Sequence, residues 1–270
     1  MKMIINGTFV DAADNAVLEV LNPATGQRID TIPAATKEDV DQAVSAALAG
    51  QKRWAQMPVF ERAEIMHKFI GLVERDQEAL AQTLSQETGK PITEARAEIG
   101  NIPIAFKAFS EKAKHLYGEI IHGNQEPGQE DHMLLTIKEP VGVVACVIPF
   151  NFPCDLFDQK VAPALLAGNA AIVKPSTDNP LTLCKLTGLL VEAGVTDGAI
   201  QIVTGKGSKV GNWLCGHPDV SLITLTGSTQ VGIETARTAA DHLVHLALEL
   251  GGNDAFIVLE DADVNLAVEE

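Results

Sequence analysis

Glu249 ends the apolar run Leu246–Leu248 and stands directly before Leu250, Gly251 and Gly252. An ionised acid at a buried strand end costs on the order of several kcal/mol unless it is paired or its protonation is put to use. That makes Glu249 a candidate general base. Asn151 sits in the run IPFNFP, with Pro149 and Pro153 stiffening the chain on either side. An amide NH2 held in a rigid loop can donate to an oxyanion, and Asn is also a common turn former. Lys174 leaves the apolar run AAIVK just before Pro175, Ser176 and Thr177. Its ammonium can hold ribose hydroxyls or phosphate, or simply snorkel from the sheet to water.

Two glycine-rich turns accompany these residues. One, TGSTQVG, carries Gly227, Ser228, Val231 and Gly232; the other, TGKGSKVG, carries Gly205, Gly207 and Gly211. Glycine lets a backbone approach a phosphate, and a following helix offers free N–H groups. The same pattern serves close packing between strand and helix, and neither turn is a GxGxxG fingerprint or a P-loop. Both readings stay open on spacing alone.

The elements that must position these residues follow from hydrophobic periodicity. From Val141 onward, apolar runs (VGVVACVIP, AAIVKP, AIQIVTG, SLITLTG, HLALELGG, AFIVLED) alternate with segments of helical length. The latter are Leu156 to Ala167, Leu181 to Ala193, Lys209 to Cys215 and Gln230 to Ala240. Strands apolar on both faces and separated by helices predict an α/β fold with a doubly wound parallel sheet. Such sheets bind ligands at the carboxyl ends of their strands, where the residues above fall.

Upstream, a short hairpin is expected to pair Ile4–Val10 with Leu18–Leu21. N-terminal helices should follow over Lys37–Trp54 with Thr36 as N-cap, from Pro58 to a stop at Gly89, and over Ile92–Leu116 with Pro103 inside. Residues 118–138 read as a protruding β-hairpin. Ile120, Ile121, Leu134 and Leu135 on it predict packing against another subunit or domain.

The chain has 270 residues, is 46% hydrophobic and carries a formal charge of -16; its mean hydropathy is +0.11 and its pI about 4.8. That composition supports a large core and argues against nucleic acid as partner, since no basic face is present. The longest apolar run, Val141–Phe150, is about half of the ~20 residues needed to cross a bilayer, and the N-terminus lacks a signal-peptide core. A cytoplasmic protein with no membrane partner is expected. Cys146, Cys154, Cys184 and Cys215 are irregularly spaced, as reduced thiols are. His242 and His245 are read on one strand, pointing to opposite faces, so no metal set is expected. Cys154 can open a helix, a setting that lowers a thiol's pKa, but it is read as packed.

The succession IPFNFP, KPS, TGKG, LTGSTQVG and LELGG, with INGTFV and NPATG near the start and FIVLEDAD near the end, resembles the aldehyde dehydrogenase superfamily. Its members oxidise aldehydes to acids with NAD or NADP. The resemblance spans the whole chain and implies three parts: a dinucleotide-binding domain over 1–117 and 139–250, an oligomerisation hairpin over 118–138, and the start of a catalytic domain over 251–270. It implies Asn151 as donor to the oxyanion of a cysteine thiohemiacetal. Glu249 would activate the water that hydrolyses the thioester, from a partly apolar setting that raises its pKa. By the same resemblance Lys174, with Ser176 and Thr177, holds the adenine ribose. Gly227, Ser228, Val231 and Gly232 meet the pyrophosphate, and Gly207 lies against the adenine. Ile148, Pro149, Phe150, Leu250 and Gly251 line the nicotinamide side.

Two departures stand out. The family's nucleophilic cysteine lies beyond Glu270, so the resemblance implies an N-terminal part that is inactive alone; a non-catalytic dinucleotide-binding or interaction module is the alternative, and a chain that does not fold stably is a third. Thr177 stands where many members carry Glu after KPS. That removes a repulsion against a 2'-phosphate, which Lys174 with Lys206 or Lys209 can favour, so NADP use is expected. A small aldehyde substrate and a homo-oligomer complete the expectation.

Overall fold

The computed structural model describes residues 1–196 and 198–269. Asp197, in the expected dinucleotide-binding domain, and Glu270, last of the expected 251–270 segment, lie outside the described residues. The N-terminus departs from the expected pairing. β1 (Met3–Ile5) folds back on β2 (Thr8–Val10), and β3 (Val17–Leu21) pairs instead with β4 (Arg28–Pro33). The cause is Asn6-Gly7, whose φ angles of 51° and 73° suit a two-residue hairpin turn.

Three long helices follow. α1 (Lys37–Gln56) starts in a capping box: Thr36 Oγ1 accepts the Asp39 N–H at 3.2 Å, and the Asp39 carboxylate accepts the Thr36 N–H at 2.7 Å. α2 (Val59–Thr88) stops at Gly89, whose φ of 76° forms the left-handed cap. α3 (Ile92–Ala113) runs through Pro103 and ends short of the expected Leu116. β5 (Ile120–His122) and β6 (Met133–Leu135) then form a separate antiparallel pair, with Ile120 opposite Leu135. This is the expected hairpin.

The rest is the α/β unit: β7 (Val143–Val147), α4 (Pro153–Leu166), β8 (Ala170–Lys174), α5 (Leu181–Ala193), β9 (Ile200–Ile202), a wide helical turn over Gly207–Gly211, α6 (Asn212–Cys215), β10 (Leu222–Thr226), α7 (Thr229–Ala240), β11 (His245–Glu249) and α8 (Val264–Glu269). The strand order is β11-β10-β7-β8-β9-β1-β2. β7 to β11 are parallel to one another, and β1 joins β9 antiparallel. The chain lays down β7, β8 and β9 in one direction, then returns to place β10 and β11 on the other side of β7. The doubly wound sheet therefore switches direction between β7 and β10.

Two hydrophobic layers sandwich the sheet. Cys146, Val173 and Ile202 face α2 to α5, while Ala145, Ile172, Ile223 and Leu225 face α1, α6 and α7. Two expected features differ. The run AFIVLED forms no strand; Phe256 is 69% and Ile257 79% exposed, because an apolar run becomes a strand only where a neighbour completes its ladder. His242 lies in a turn, and the strand begins at His245. Among the described residues no helix is long and apolar enough to cross a membrane.

Candidate active site

Because β7 to β11 are parallel, their carboxyl ends share one rim. The loops that start there carry Pro149 to Asn151, Lys174 to Thr177, Gly205 to Gly207, Gly227 with Ser228, and Glu249 to Gly251. Side-chain alternation divides the candidates between the two faces. Val147, Lys174 and Leu225 line a cleft of about 260 Å³ with Gly207, Ser208, Gly211, Cys215, Val231 and Thr235. This lies on the α6–α7 face.

Thr224 bonds Lys160 of α4, so Thr226 and its register partner Glu249 point to the α4 face. The chain after β7 enters α4 through Asn151. Glu249 and Asn151 therefore gather on one flank, at the ends of strands two spacings, about 10 Å, apart.

Lys174 is 3% exposed. Burial pushes its pKa down to about 8, against smaller upward pulls from Cys215 and Asp178, and its Nζ donates to the Pro175 carbonyl. Thr177 Oγ1 donates to the Gly205 carbonyl at 3.1 Å, joining the loops after β8 and β9. Ser176 Oγ accepts the Asp178 N–H at 3.3 Å. Ser228 caps α7, its hydroxyl accepting the Val231 N–H at 3.3 Å, and the Gly227 N–H donates to the Glu249 carbonyl at 3.0 Å. A methyl on Gly232 would meet the end of the Leu250 side chain at 2.6 Å, whereas one on Gly207 or Gly211 would meet nothing within 4 Å. The latter two leave the backbone open to a ligand.

These features fit a dinucleotide: an open glycine turn, a buried cation and the start of a 12-residue helix surround one cleft. Thr226 Oγ1 and Asn179 Oδ1 are buried at the same rim without a hydrogen-bond partner, capacity that a polar ligand can use.

Other placements differ from expectation. Ile148 is 2% exposed and belongs to the core, so only its backbone, bonded to the Lys174 carbonyl at 3.0 Å, reaches the rim. Glu249 is exposed rather than held in an apolar setting. Phe150, Asn151, Leu250 and Gly251 are exposed, and Pro149 is half-buried. All four cysteines are buried and free. Burial first, then the negative charges of Glu98, Glu87 and Asp155, pushes the Cys154 thiol well up. The helix-start setting does not lower it.

Several buried charged residues escaped the sequence reading. Lys160 is buried, donates to Thr224 Oγ1 at 3.1 Å and has its pKa lowered by burial, with Cys146 and Glu249 pulling the other way. Glu98 and Glu87 are each 3% exposed. Glu98 accepts the Cys154 N–H at 2.8 Å, where α4 begins. Glu87 accepts the N–H groups of Leu181 and Thr182 at 2.6 and 2.9 Å, where α5 begins. Both acids lie on apolar helix stripes, Glu98 among Ala95, Ile99 and Ile102, and Glu87 after Leu80 and Leu84. An acid inside such a stripe was the available signal.

The family model described as "Aldehyde dehydrogenase family" matches residues 9–270. The chain is 38% identical over 268 residues to a D-glyceraldehyde dehydrogenase (NADP(+)) of Picrophilus torridus, a match covering 99% of this chain and 54% of that one. An E. coli NADP-dependent enzyme of known structure superposes with a TM-score of 0.95 at 35% identity, over 99% of this chain and 55% of that one. Betaine aldehyde dehydrogenase from Staphylococcus aureus, solved in complex with NAD+, superposes with a TM-score of 0.94 at 33% identity, over 99% and 53%. The chain spans about half the length of these relatives. With its doubly wound sheet and the ordered loops on its rim, the chain belongs to the aldehyde dehydrogenase family.

Proposed function

We propose that this chain is the dinucleotide-binding part of a cytoplasmic, homo-oligomeric enzyme that oxidises a small aldehyde to a carboxylic acid. Residues 1–117 and 139–250 form the binding domain, 118–138 the association hairpin, and 251–270 the entry to a catalytic part. The observation that carries the reading is the shared rim, where Asn151 and Glu249 occupy one flank and the Lys174 cleft the other. A bound NAD or NADP supplies the hydride acceptor.

Lys174, Ser176 and Thr177 hold the adenine ribose, and Gly207 lies beside the adenine. Gly227, Ser228, Val231 and Gly232 receive the pyrophosphate. The backbone of Ile148, together with Pro149, Phe150, Leu250 and Gly251, borders the nicotinamide. The Asn151 amide donates to the oxygen that becomes negative when a thiolate adds to the aldehyde, and Glu249 accepts a proton from the attacking water. The four cysteines of this chain are buried, and the proposal places that thiolate in the remainder of the enzyme. The same burial favours a second reading, a module that binds dinucleotide without performing chemistry.

Thr177 brings no carboxylate of its own to the ribose, so the completed enzyme is expected to accept NADP at least comparably to NAD. The test is a fluorescence titration of the chain with NADPH and NADH, followed by an aldehyde-dependent reduction assay on the chain completed by a thiol-bearing C-terminal half. Thr177→Glu is expected to weaken NADPH about tenfold or more relative to NADH, one unfavourable charge contact being worth on the order of 1–2 kcal/mol. Absence of dinucleotide binding overturns the whole reading. Binding without oxidation by the completed enzyme leaves the module.

A further inference from the structure

Asn151 presents its side chain to solvent while the backbone around it is gripped by three side chains. Asn179, 2% exposed and carried on the loop after β8, donates its Nδ2 to the Phe150 carbonyl at 2.7 Å. Lys90, in the turn between α2 and α3, donates to the Asn151 carbonyl at 3.2 Å, and its ammonium lies 4.4 Å from the centroid of the Phe152 ring. Glu98, on α3, accepts the Cys154 N–H through Oε1 and pairs with Lys90 through Oε2. The Lys90 and Glu98 side chains are only 11% and 2% exposed.

A buried ion pair is a poor device for stability, because desolvation offsets much of its Coulomb attraction. What it does supply is position. A charge-assisted bond fixes the carbonyl of the residue whose amide is left free, and a second bond fixes the N–H three residues later. With its backbone pinned on both sides, the amide direction is set before any substrate arrives. Preorganisation of this kind lets a donor stabilise a developing charge without paying to reorient.

We propose that the Lys90–Glu98 pair, reaching from the α2–α3 helices to the Asn151 carbonyl and the Cys154 N–H, positions the Asn151 amide for oxyanion binding. Neither residue touches substrate or dinucleotide; both are positioning residues. The inference rests on the reading of Asn151 as oxyanion donor.

Two measurements test it, using Lys90→Met and Lys90→Arg. In the 270-residue chain, hydrogen exchange followed by mass spectrometry reads the mobility of segment 150–156. Lys90→Met is expected to speed exchange there roughly tenfold while NADPH affinity stays within about twofold, with Lys90→Arg restoring most of the protection. In the completed enzyme, Lys90→Met lowers kcat about 10- to 100-fold with KM for the dinucleotide unchanged, and Lys90→Arg recovers part of the loss. Unaltered exchange in segment 150–156, or faster exchange spread evenly over the molecule, overturns the clamp. A kcat unaffected by Lys90→Met overturns its catalytic purpose. If the unsubstituted completed enzyme oxidises no aldehyde, the proposed function falls and takes that purpose with it, while the exchange measurement still decides the clamp.

Discussion

Lys174 is an ammonium on the floor of the cleft with its pKa brought down to about 8 by burial. Its charge is what an adenine ribose or a 2'-phosphate would meet. NADPH affinity should therefore hold below pH 8 and fall above it, by up to about tenfold per pH unit once Lys174 is mostly neutral. Stability runs the other way. Between about 8 and the ordinary lysine value of 10.5 the unfolded chain binds more protons than the folded one, so the Lys174 contribution to stability rises with pH across that window. Fluorescence titrations of NADPH at several pH values check the first expectation, and Lys174→Met should flatten the curve at a uniformly weaker affinity. At this scale the sequence was informative about residue type and loop order. Lys174 before Pro175 and Glu249 before two glycines are visible in one dimension. Whether a side chain faces the rim or the core is not, as Ile148 shows by belonging to the core.

Helix α1 lies against the turn before β9 so closely that a methyl on Gly50 would stand 2.2 Å from the Gly198 carbonyl carbon and 2.6 Å from the Ala199 nitrogen. Both are backbone atoms and cannot swing aside. Gly50→Ala should therefore cost about 2–3 kcal/mol and lower the melting temperature by about 5–10 °C, read by differential scanning calorimetry. Most elements were legible because a local signal decided them. Thr36 with Asp39 starts α1, Gly89 stops α2, and the Leu181–Ala193 stripe became α5 with the expected bounds. Misreadings arose where a turn signal was overlooked or where a distant partner decided. Asn6-Gly7 selected a tight hairpin and freed Leu18–Leu21 to pair further on, and AFIVLED found no neighbouring strand. Lys90 and Glu98 were missed because the loop they hold is 56 or more residues away.

Among the described residues, two stretches carry much of the apolar exposure. One is the hairpin, with Ile120 71%, Met133 79% and Leu135 62% exposed, and the other is the segment around Ile257. Open strand edges with apolar side chains associate. Replacing both Ile120 and Leu135 by Lys should reduce self-association in sedimentation velocity while leaving NADPH affinity within about twofold, since the hairpin is a separate sheet from the binding rim. The opposite holds for the two turns at the sheet's leading end. The Gly227 N–H bonded to the Glu249 carbonyl ties the glycine turn before α7 to the backbone of the acid. Parting them forfeits about 1 kcal/mol. Under the proposed function, a dinucleotide settling on the Gly227 turn would steady the peptide that carries the Glu249 carboxylate, so cofactor occupancy and proton transfer would share a mechanical link one hydrogen bond long.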